Sequence, residues 1–227
     1  MTQNNACSHK EYCISLVPIF NHLEKEQMKE IMDSVQSVHY KKGEMIYRAG
    51  EESSSLYIVH RGQIKIYRIS ETGKEILIRI LNPGDFTGEY ALFNQSNHEN
   101  YAEALKDTQV CMIQRAHLQQ FLLKYPTISL KILSEFSTRL ESTEKQTTRV
   151  ATEKVDTRIA LFLAECADGE EDLEFTLPMN KKDIASYLGT TPETLSRKLT
   201  EFEERELIQQ KPRKRIQILD FDGLLQI

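Results

Sequence analysis

Residues 180–208 read NKKDIASYLGTTPETLSRKLTEFEERELI. Asn180, followed three residues later by Asp183, resembles a capping box with the shorter acid in place of Glu. Ile184, Ala185 and Leu188 give the first segment one apolar face. Gly189 closes that helix, because glycine enters the left-handed cap without steric cost. Thr191 is a natural N-cap, and Pro192 stands at the first helical position, where its missing N–H is no loss. Leu195, Leu199 and Phe202 continue the apolar stripe on the second helix. Two short helices joined by a tight glycine-containing turn predict a helix-turn-helix.

The outer face of the second helix carries the chemistry. Glu193, Ser196 and Arg197 fall at i, i+3 and i+4 and project together from its N-terminal half, the half that a recognition helix turns toward base edges in the major groove. Arginine can donate two hydrogen bonds to guanine, and glutamate can accept from cytosine N4. Thr191, Lys181 and Lys182 are placed to touch phosphates, as is Asn180 if capping does not use it fully. The plainer reading is a solvated helix face on which Glu193 and Arg197 pair at i,i+4. Just beyond, KPRKR (211–215) and IQILD look like a turn and a strand with basic side chains at the tip, a wing in which Arg213 and Lys214 are phosphate-contact candidates.

Charge favours the nucleic-acid reading locally. The chain holds 29 Lys and Arg against 34 Asp and Glu, so it is not basic throughout. Between Lys181 and Arg215, however, nine Lys or Arg face six Asp or Glu, a net of +3, which leaves −8 for the rest.

Upstream, LEFTL (173–177) suits a strand, and TRIALFLAECA (157–167) a helix whose Ile159, Leu161, Phe162 and Leu163 found a second small core. From about Leu118 the period is helical for some 45 residues. Leu133, Leu140 and Thr147 on one seam position, with Phe136, Thr143 and Val150 on the other, make three heptads. Such a helix can pack along its own chain, act as a spacer, or form half of a parallel dimer. A lone DNA module would bind weakly, and two copies can read two half-sites one helical turn apart, which favours the dimer.

From Lys41, the runs SLYIVH, QIKIYRI, EILIRIL and VCMIQ recur between glycines at roughly ten-residue intervals, the pattern of an all-β roll, barrel or sandwich. Ser70–Glu71–Thr72–Gly73 suits a hairpin turn. Before them, HLEKEQMKEIMDSV predicts a short helix bearing Leu23, Met28, Ile31, Met32 and Val35. A length of 227 residues, 40% hydrophobic and 28% charged, fits one large or two small globular domains. No run approaches the ~18 apolar residues of a membrane span, and the polar N-terminus lacks a signal-peptide core, so the expected location is cytoplasmic. No nucleophile elbow, Walker motif or zinc spacing occurs, and an enzyme is not expected.

This order of parts resembles the CRP/FNR family of bacterial transcription regulators over nearly the whole chain, on NPGDFTGEYALF (82–93), the long helix and ETLSR (193–197). The resemblance implies an α+β protein. A leader (1–20) would precede a cyclic-nucleotide-binding-like β-roll sensor domain (21–118), a dimerisation helix (119–152) and a winged helix-turn-helix DNA-binding domain (153–227). It further implies a homodimer on a palindrome, with RNA polymerase as a partner. Glu193, Ser196 and Arg197 match the Glu-x-x-Ser-Arg pattern of the FNR branch, whose usual target resembles TTGAT-N4-ATCAA.

The cyclic-AMP branch follows Gly-Glu-x-x-Leu-Phe with an Arg-Ser pair that holds the phosphate. Gly88, Glu89, Leu92 and Phe93 are present here, but Glu99 and Asn100 stand at the Arg and Ser positions. A carboxylate would repel a cyclic phosphodiester, so cyclic AMP is not expected. Gly84 and Gly88 then remain as turn residues.

CSHKEYCISLVPIF (7–20) resembles the cluster segment of oxygen-sensing FNR proteins, and Cys111 matches the distant ligand in the roll. The first cysteine of that motif is missing, with Asn4 at its position. Cys7, Cys13 and Cys111 can hold a [4Fe–4S] cluster only with a fourth ligand from elsewhere. Alternatively, Cys7 or Cys13 forms a disulfide with Cys111, as in the thiol-switching FNR-like proteins of Gram-positive lactic acid bacteria, the subgroup this chain looks most like. The disulfide is slightly favoured. The plain reading of Cys111 is a buried hydrophobe in a strand, and Cys166 is expected in a core. Two alternatives to a redox regulator remain: a roll that senses a small molecule, or nothing, with inert cysteines, and a cyclic-nucleotide-binding-like signalling module without DNA readout.

Overall fold

The strands SLYIVHR and TQVCMIQ alternate and then saturate with apolar residues, so they pair at the centre of a sheet. In the computed structural model, which describes residues 17–89, 96–169 and 173–227, β3 (Ser55–Arg61) and β8 (Thr108–Gln114) do so antiparallel, with Ile58 opposite Cys111. With β1 (Gln36–Tyr40) and β6 (Phe86–Thr87) they form one four-stranded sheet, ordered β1-β8-β3-β6. A second sheet is ordered β2-β7-β4-β5, from β2 (Met45–Tyr47), β4 (Ile64–Ile69), β5 (Glu75–Leu81) and β7 (Tyr101–Ala104).

The β4–β5 hairpin turns where the sequence places it. The Ser70 N–H donates to Lys74 O and the Gly73 N–H to Ser70 O, with Gly73 at φ +78. Gly88 has a requirement of its own beyond its φ of +86, since a Cβ there would lie 2.3 Å from Ser55 O. Strand β1 begins five residues earlier than the sequence reading of the roll. Its QSVHY presents mostly exposed side chains, so it carries no apolar signal.

The core of this first unit, which extends to Leu140, joins the helix α1 (Lys25–Asp33) to the roll. Val17, Phe20, Leu23, Ile31, Met32 and Val35 are buried in one cluster with Leu56, Ile58, Cys111 and Ile113. Residues 119–152, expected as a single helix, are two. Helix α2 (Arg115–Lys124) stops at Tyr125, whose φ/ψ of −126/77 is non-helical, because the ring of Pro126 excludes the residue before it from the α region. Helix α3 (Pro126–Thr152) then starts with that proline in its first turn and runs 27 residues. Ile128 and Ile132 are buried in the roll's cluster and Phe136 packs partly against it.

The second unit, Glu141–Ile227, has its own core. Helix α4 (Val155–Ala167) buries Ile159, Phe162 and Leu163 and leaves Leu161 half-buried, close to the sequence expectation. The core also includes β9 (Glu174–Thr176), α5 (Lys181–Tyr187), α6 (Pro192–Glu204), the hairpin β10 (Ile208–Lys211) and β11 (Arg215–Ile218), and α7 (Phe221–Leu225). The sheet order is β10-β11-β9. Among the described residues no helix is long and apolar enough to cross a membrane.

Candidate nucleic-acid interface

Asn180 caps α5 with both ends of its amide. Its Oδ1 accepts from the Asp183 N–H at 2.9 Å and its Nδ2 donates to the Asp183 carboxylate at 2.6 Å. That uses one of the two amide N–H groups and leaves the other as the side chain's remaining donor. At the far end, Gly189 takes φ +64 and the Thr190 N–H reaches back to Ala185 O at 2.8 Å, a Schellman-type closure. Thr191 Oγ1 then accepts from the Thr194 N–H at 3.2 Å, and Pro192 opens α6.

Helix α6 buries Leu195, Leu199 and Phe202, so its opposite face is turned outward. Glu193 and Arg197 are exposed there and Ser196 is half-buried between them. Glu193 does not pair with Arg197. Its carboxylate accepts from its own backbone N–H and from Thr191, which lowers its pKa, and it therefore stays an anion at the helix N-terminus. Arg197 has no ion-pair partner among the described residues. The inner flank of the helix is tied down by groups the sequence reading did not single out. Lys198 bridges Asp156 of α4 at 2.7 Å and Glu201 at 2.8 Å, while Glu203 accepts from the Gln210 N–H at 2.7 Å.

The basic wing divides in the same way. Lys211 and Arg215, opposite one another in the hairpin, both pair with Glu174 of β9, at 2.5 and 2.9 Å. The hydrogen bond from Lys211, ahead of the field of Arg215, lowers the pKa of Glu174. Arg213 and Lys214 remain exposed at the tip with φ of +61 and +62. Holding two side-chain-bearing residues there costs roughly 1–2 kcal/mol each. Lys181 and Lys182 are exposed on the first turn of α5, with Lys181 Nζ 3.5 Å from Gln210 Oε1.

Residues 157–227 match the family model of the Crp-like helix-turn-helix domain, and residues 37–125 that of the cyclic nucleotide-binding domain. A protein of Lacticaseibacillus casei named "Probable transcriptional regulator flp" is 32% identical over 212 residues, which is 93% of this chain and 96% of that protein. The chain belongs to the CRP/FNR family. Its FNR-like character extends to the "Anaerobic regulatory protein" of Haemophilus influenzae, 31% identical across 97% of this chain and 86% of that one. The structure of FixK2 from Bradyrhizobium japonicum superimposes with a TM-score of 0.74 at 26% identity, covering 84% of this chain and 95% of FixK2. As a CRP/FNR member the chain is a DNA-binding transcription regulator and not an enzyme.

The CRP/FNR roll here turns its polar groups on one another. Arg68 bonds Glu99, and its Nε donates to Asn100 Oδ1 at 2.7 Å, so the two residues at the family's Arg-Ser positions hold an internal cation. Glu89 takes Arg79 at 2.6 Å and Arg139 of α3 at 3.2 Å. The Arg139 guanidinium also lies 4.0 Å from the Phe86 ring centroid and donates to Phe86 O. Burial, then the nearby Arg79 charge, lowers the pKa of Arg139. Leu92 and Phe93 lie outside the described residues.

Cys111 is 1% exposed and disulfide-bonded. Cys7 and Cys13 lie outside the described residues, and Cys166 is a free, half-buried thiol whose pKa burial pushes up to about 12. Among the described residues no group of three His, Cys, Asp or Glu could hold a metal ion. Of the heptad residues, Leu133, Leu140, Thr143, Thr147 and Val150 are exposed, and Phe136 is half-buried.

Proposed function

We propose that two copies of this chain pair through α3 and read a palindrome resembling TTGAT-N4-ATCAA. The observation that carries the reading is the division of α6: Leu195, Leu199 and Phe202 face inward, and Glu193, Ser196 and Arg197 face outward from the N-terminal half. Arg197 donates to guanine and Glu193 accepts from cytosine. Thr191, Lys181, Lys182, Arg213 and Lys214 hold phosphates. The exposed leucines Leu133 and Leu140, 58% and 60% accessible, support a second α3 against this face, with Phe136, Thr143, Thr147 and Val150 beside them. RNA polymerase is the further partner, and the cytoplasm the place of action.

The test is fluorescence anisotropy with a duplex carrying the palindrome and a scrambled duplex, alongside sedimentation. A dimer that prefers the palindrome is expected; equal affinity for the two duplexes would refute the reading.

Regulation is assigned to the cysteines, as a thiol–disulfide switch at Cys111 with Cys7 or Cys13. Two findings support it. Cys111 is disulfide-bonded, and Val17, four residues beyond Cys13, shares its buried cluster. Three thiolates from Cys7, Cys13 and Cys111 are one short of the four that hold a [4Fe–4S] cluster, so a cluster would need a fourth ligand from elsewhere and the disulfide is favoured. Cyclic AMP does not fit, because Glu99 brings a carboxylate to the phosphate position and already pairs with Arg68. Anaerobic purification with iron, sulfide and thiol analysis tests the assignment. Two thiols lost reversibly in air, without iron, are expected. Iron and sulfide near four per chain would replace the switch with a cluster, and four free thiols throughout would leave the cysteines inert.

A further inference from the structure

The last carbonyls of an α-helix have no partner within it, and each must find one elsewhere. At the end of α5 the turn supplies two of them: the Gly189 N–H reaches Ser186 O at 3.2 Å and the Thr190 N–H reaches Ala185 O at 2.8 Å. The next two carbonyls are taken by side chains from other helices. Gln146 Nε2 of α3 donates to Tyr187 O at 2.6 Å, and Arg158 Nη1 of α4 donates to Leu188 O at 2.6 Å. Arg158 is 8% exposed, a buried cation at the negative end of α5. A Cβ on Gly189 would come within 2.9 Å of its Nη1 and 3.2 Å of Val150 Cγ1, so glycine is also what lets the turn approach the two helices. Arg149 and Glu165, paired at 2.5 Å, tie α3 to α4 beside it.

The turn Leu188–Gly189–Thr190 sets the direction in which α6 leaves α5. We propose that Gln146 and Arg158 are positioning residues for DNA reading. By capping the carbonyls of Tyr187 and Leu188 they fix the start of α6 to the end of α3 and to α4, and so fix the separation of the two reading helices in the dimer. The inference rests on the dimeric palindrome reading above. Neither residue touches DNA, and the apolar core already holds α5 against α6 through Leu188, Leu195 and Leu199. What Gln146 adds is registration to α3, and what Arg158 adds is registration to α4, which the Arg149–Glu165 pair ties to α3. That predicts an effect on half-site spacing rather than on phosphate affinity.

The experiment uses full-length protein and three palindromic duplexes with spacers N3, N4 and N5, plus a scrambled duplex. Gln146→Leu keeps the bulk and removes the donor. It is expected to weaken binding to the N4 duplex about 3- to 10-fold, the worth of one hydrogen bond. It should also flatten the preference for N4 over N3 and N5 while leaving scrambled-duplex affinity within about twofold. Arg158→Met should act in the same direction and Arg158→Lys, which keeps a donor, should restore most of the preference. If Arg158→Met does not fold, Gln146→Leu decides alone. An unchanged spacer profile, or equal weakening on every duplex, overturns the proposal. Should Arg197→Ala abolish sequence preference while Gln146→Leu leaves the spacer profile intact, only the positioning role falls. Should the wild type itself show no preference, the palindrome reading falls and takes this inference with it.

Discussion

In the roll, Arg68 faces Glu99 and Asn100, and Glu89 faces both Arg79 and Arg139. In the C-terminal unit, Arg197, Arg213 and Lys214 stand exposed without such partners among the described residues, while Lys198, Lys211 and Arg215 a few residues away are paired to Asp156 and Glu174. The residue types are the same in both places. What differs is whether an internal carboxylate has been supplied. A paired cation registers one element against another and has little left for a ligand; an unpaired one on an outward face keeps its full attraction for phosphate or a base edge. The charges therefore divide into those that hold the fold and those that remain for a partner.

The largest effect expected from this sorting lies in the roll. Glu89→Gln leaves Arg79 and Arg139 facing each other without the carboxylate they share, and only the more distant Glu135 and Asp85 still act on Arg139. Removing one member of a buried pair costs about 3–5 kcal/mol. These side chains retain 18–28% exposure, and solvent screening reduces the expectation to roughly 1–3 kcal/mol. A urea-unfolding midpoint that did not move would place this cluster among the idle surface pairs. Glu99→Gln, at a pair exposed 49% and 66%, should cost under about 1 kcal/mol in the same assay.

Arg197→Ala is the counterpart in the other unit. It should cost about 1–3 kcal/mol of affinity for the palindrome and relax base preference at one position of each half-site. Its unfolding midpoint should stay within about 0.5 kcal/mol of wild type, since no internal partner is lost. A footprint and affinity identical to wild type would remove Arg197 from the reading face.

How legible these groups are in the sequence depends on the range of the interaction that places them. Asn180, Gly189, Thr191 and Pro192 act on neighbours within a few residues, so the helix-turn-helix can be read from caps alone, and the Ser70–Lys74 hairpin likewise. Strand β1 escapes because only Val38 and Tyr40 of QSVHY turn inward, and both stay half-buried, which is too short an alternation to read. The break at Tyr125 escapes because the apolar period runs on through Pro126, which is itself acceptable in a first turn. The pairing of Glu174 with Lys211 and Arg215 depends on the register of β9 against β11, and that of Lys198 with Asp156 on packing across 42 positions. No local pattern encodes either. For the same reason KPRKR reads as one uniform basic run, although the fold uses it in two ways.

That division within the wing can be measured. Lys214→Ala should weaken palindromic and scrambled duplexes alike and make the slope of log K against log salt shallower by about 0.9 per protomer, the contribution of one phosphate contact. Lys211→Ala removes the same formal charge but leaves Glu174 paired with Arg215 alone, so its salt slope should change less, and its effect should appear in the stability of the hairpin. If the two substitutions change the slope equally, the pairing with Glu174 does not decide which lysine is open to DNA.

The smallest effect separates the units by proton rather than by salt. All six histidines lie at or before residue 117, so the second unit has none that titrates near neutrality. Within the roll, His98 is 5% exposed and stacked on Tyr47, with ring centroids 3.7 Å apart, and its Nε2 has no hydrogen-bond partner among the described residues. Burial lowers its pKa below the ordinary 6.5, more than Glu51 and Glu89 raise it. Between the folded and the ordinary value the unfolded chain binds more protons than the folded one, so stability is lost as pH falls below 6.5 and levels off under the folded pKa. One such group gives a slope of at most about 1.4 kcal/mol per pH unit. His98→Phe keeps a ring against Tyr47 and removes the proton site. Hydrogen exchange followed by mass spectrometry at about pH 7 and about pH 5.5, corrected for the intrinsic rate, should show roll peptides of the wild type losing protection at the lower pH. The substitution should reduce that loss, and peptides from Glu141 onward should be insensitive in both proteins. An undiminished acid loss in the variant would move the effect to another group of the first unit, His22, whose pKa burial also lowers, being next to substitute; an acid loss in the second unit would end the contrast altogether.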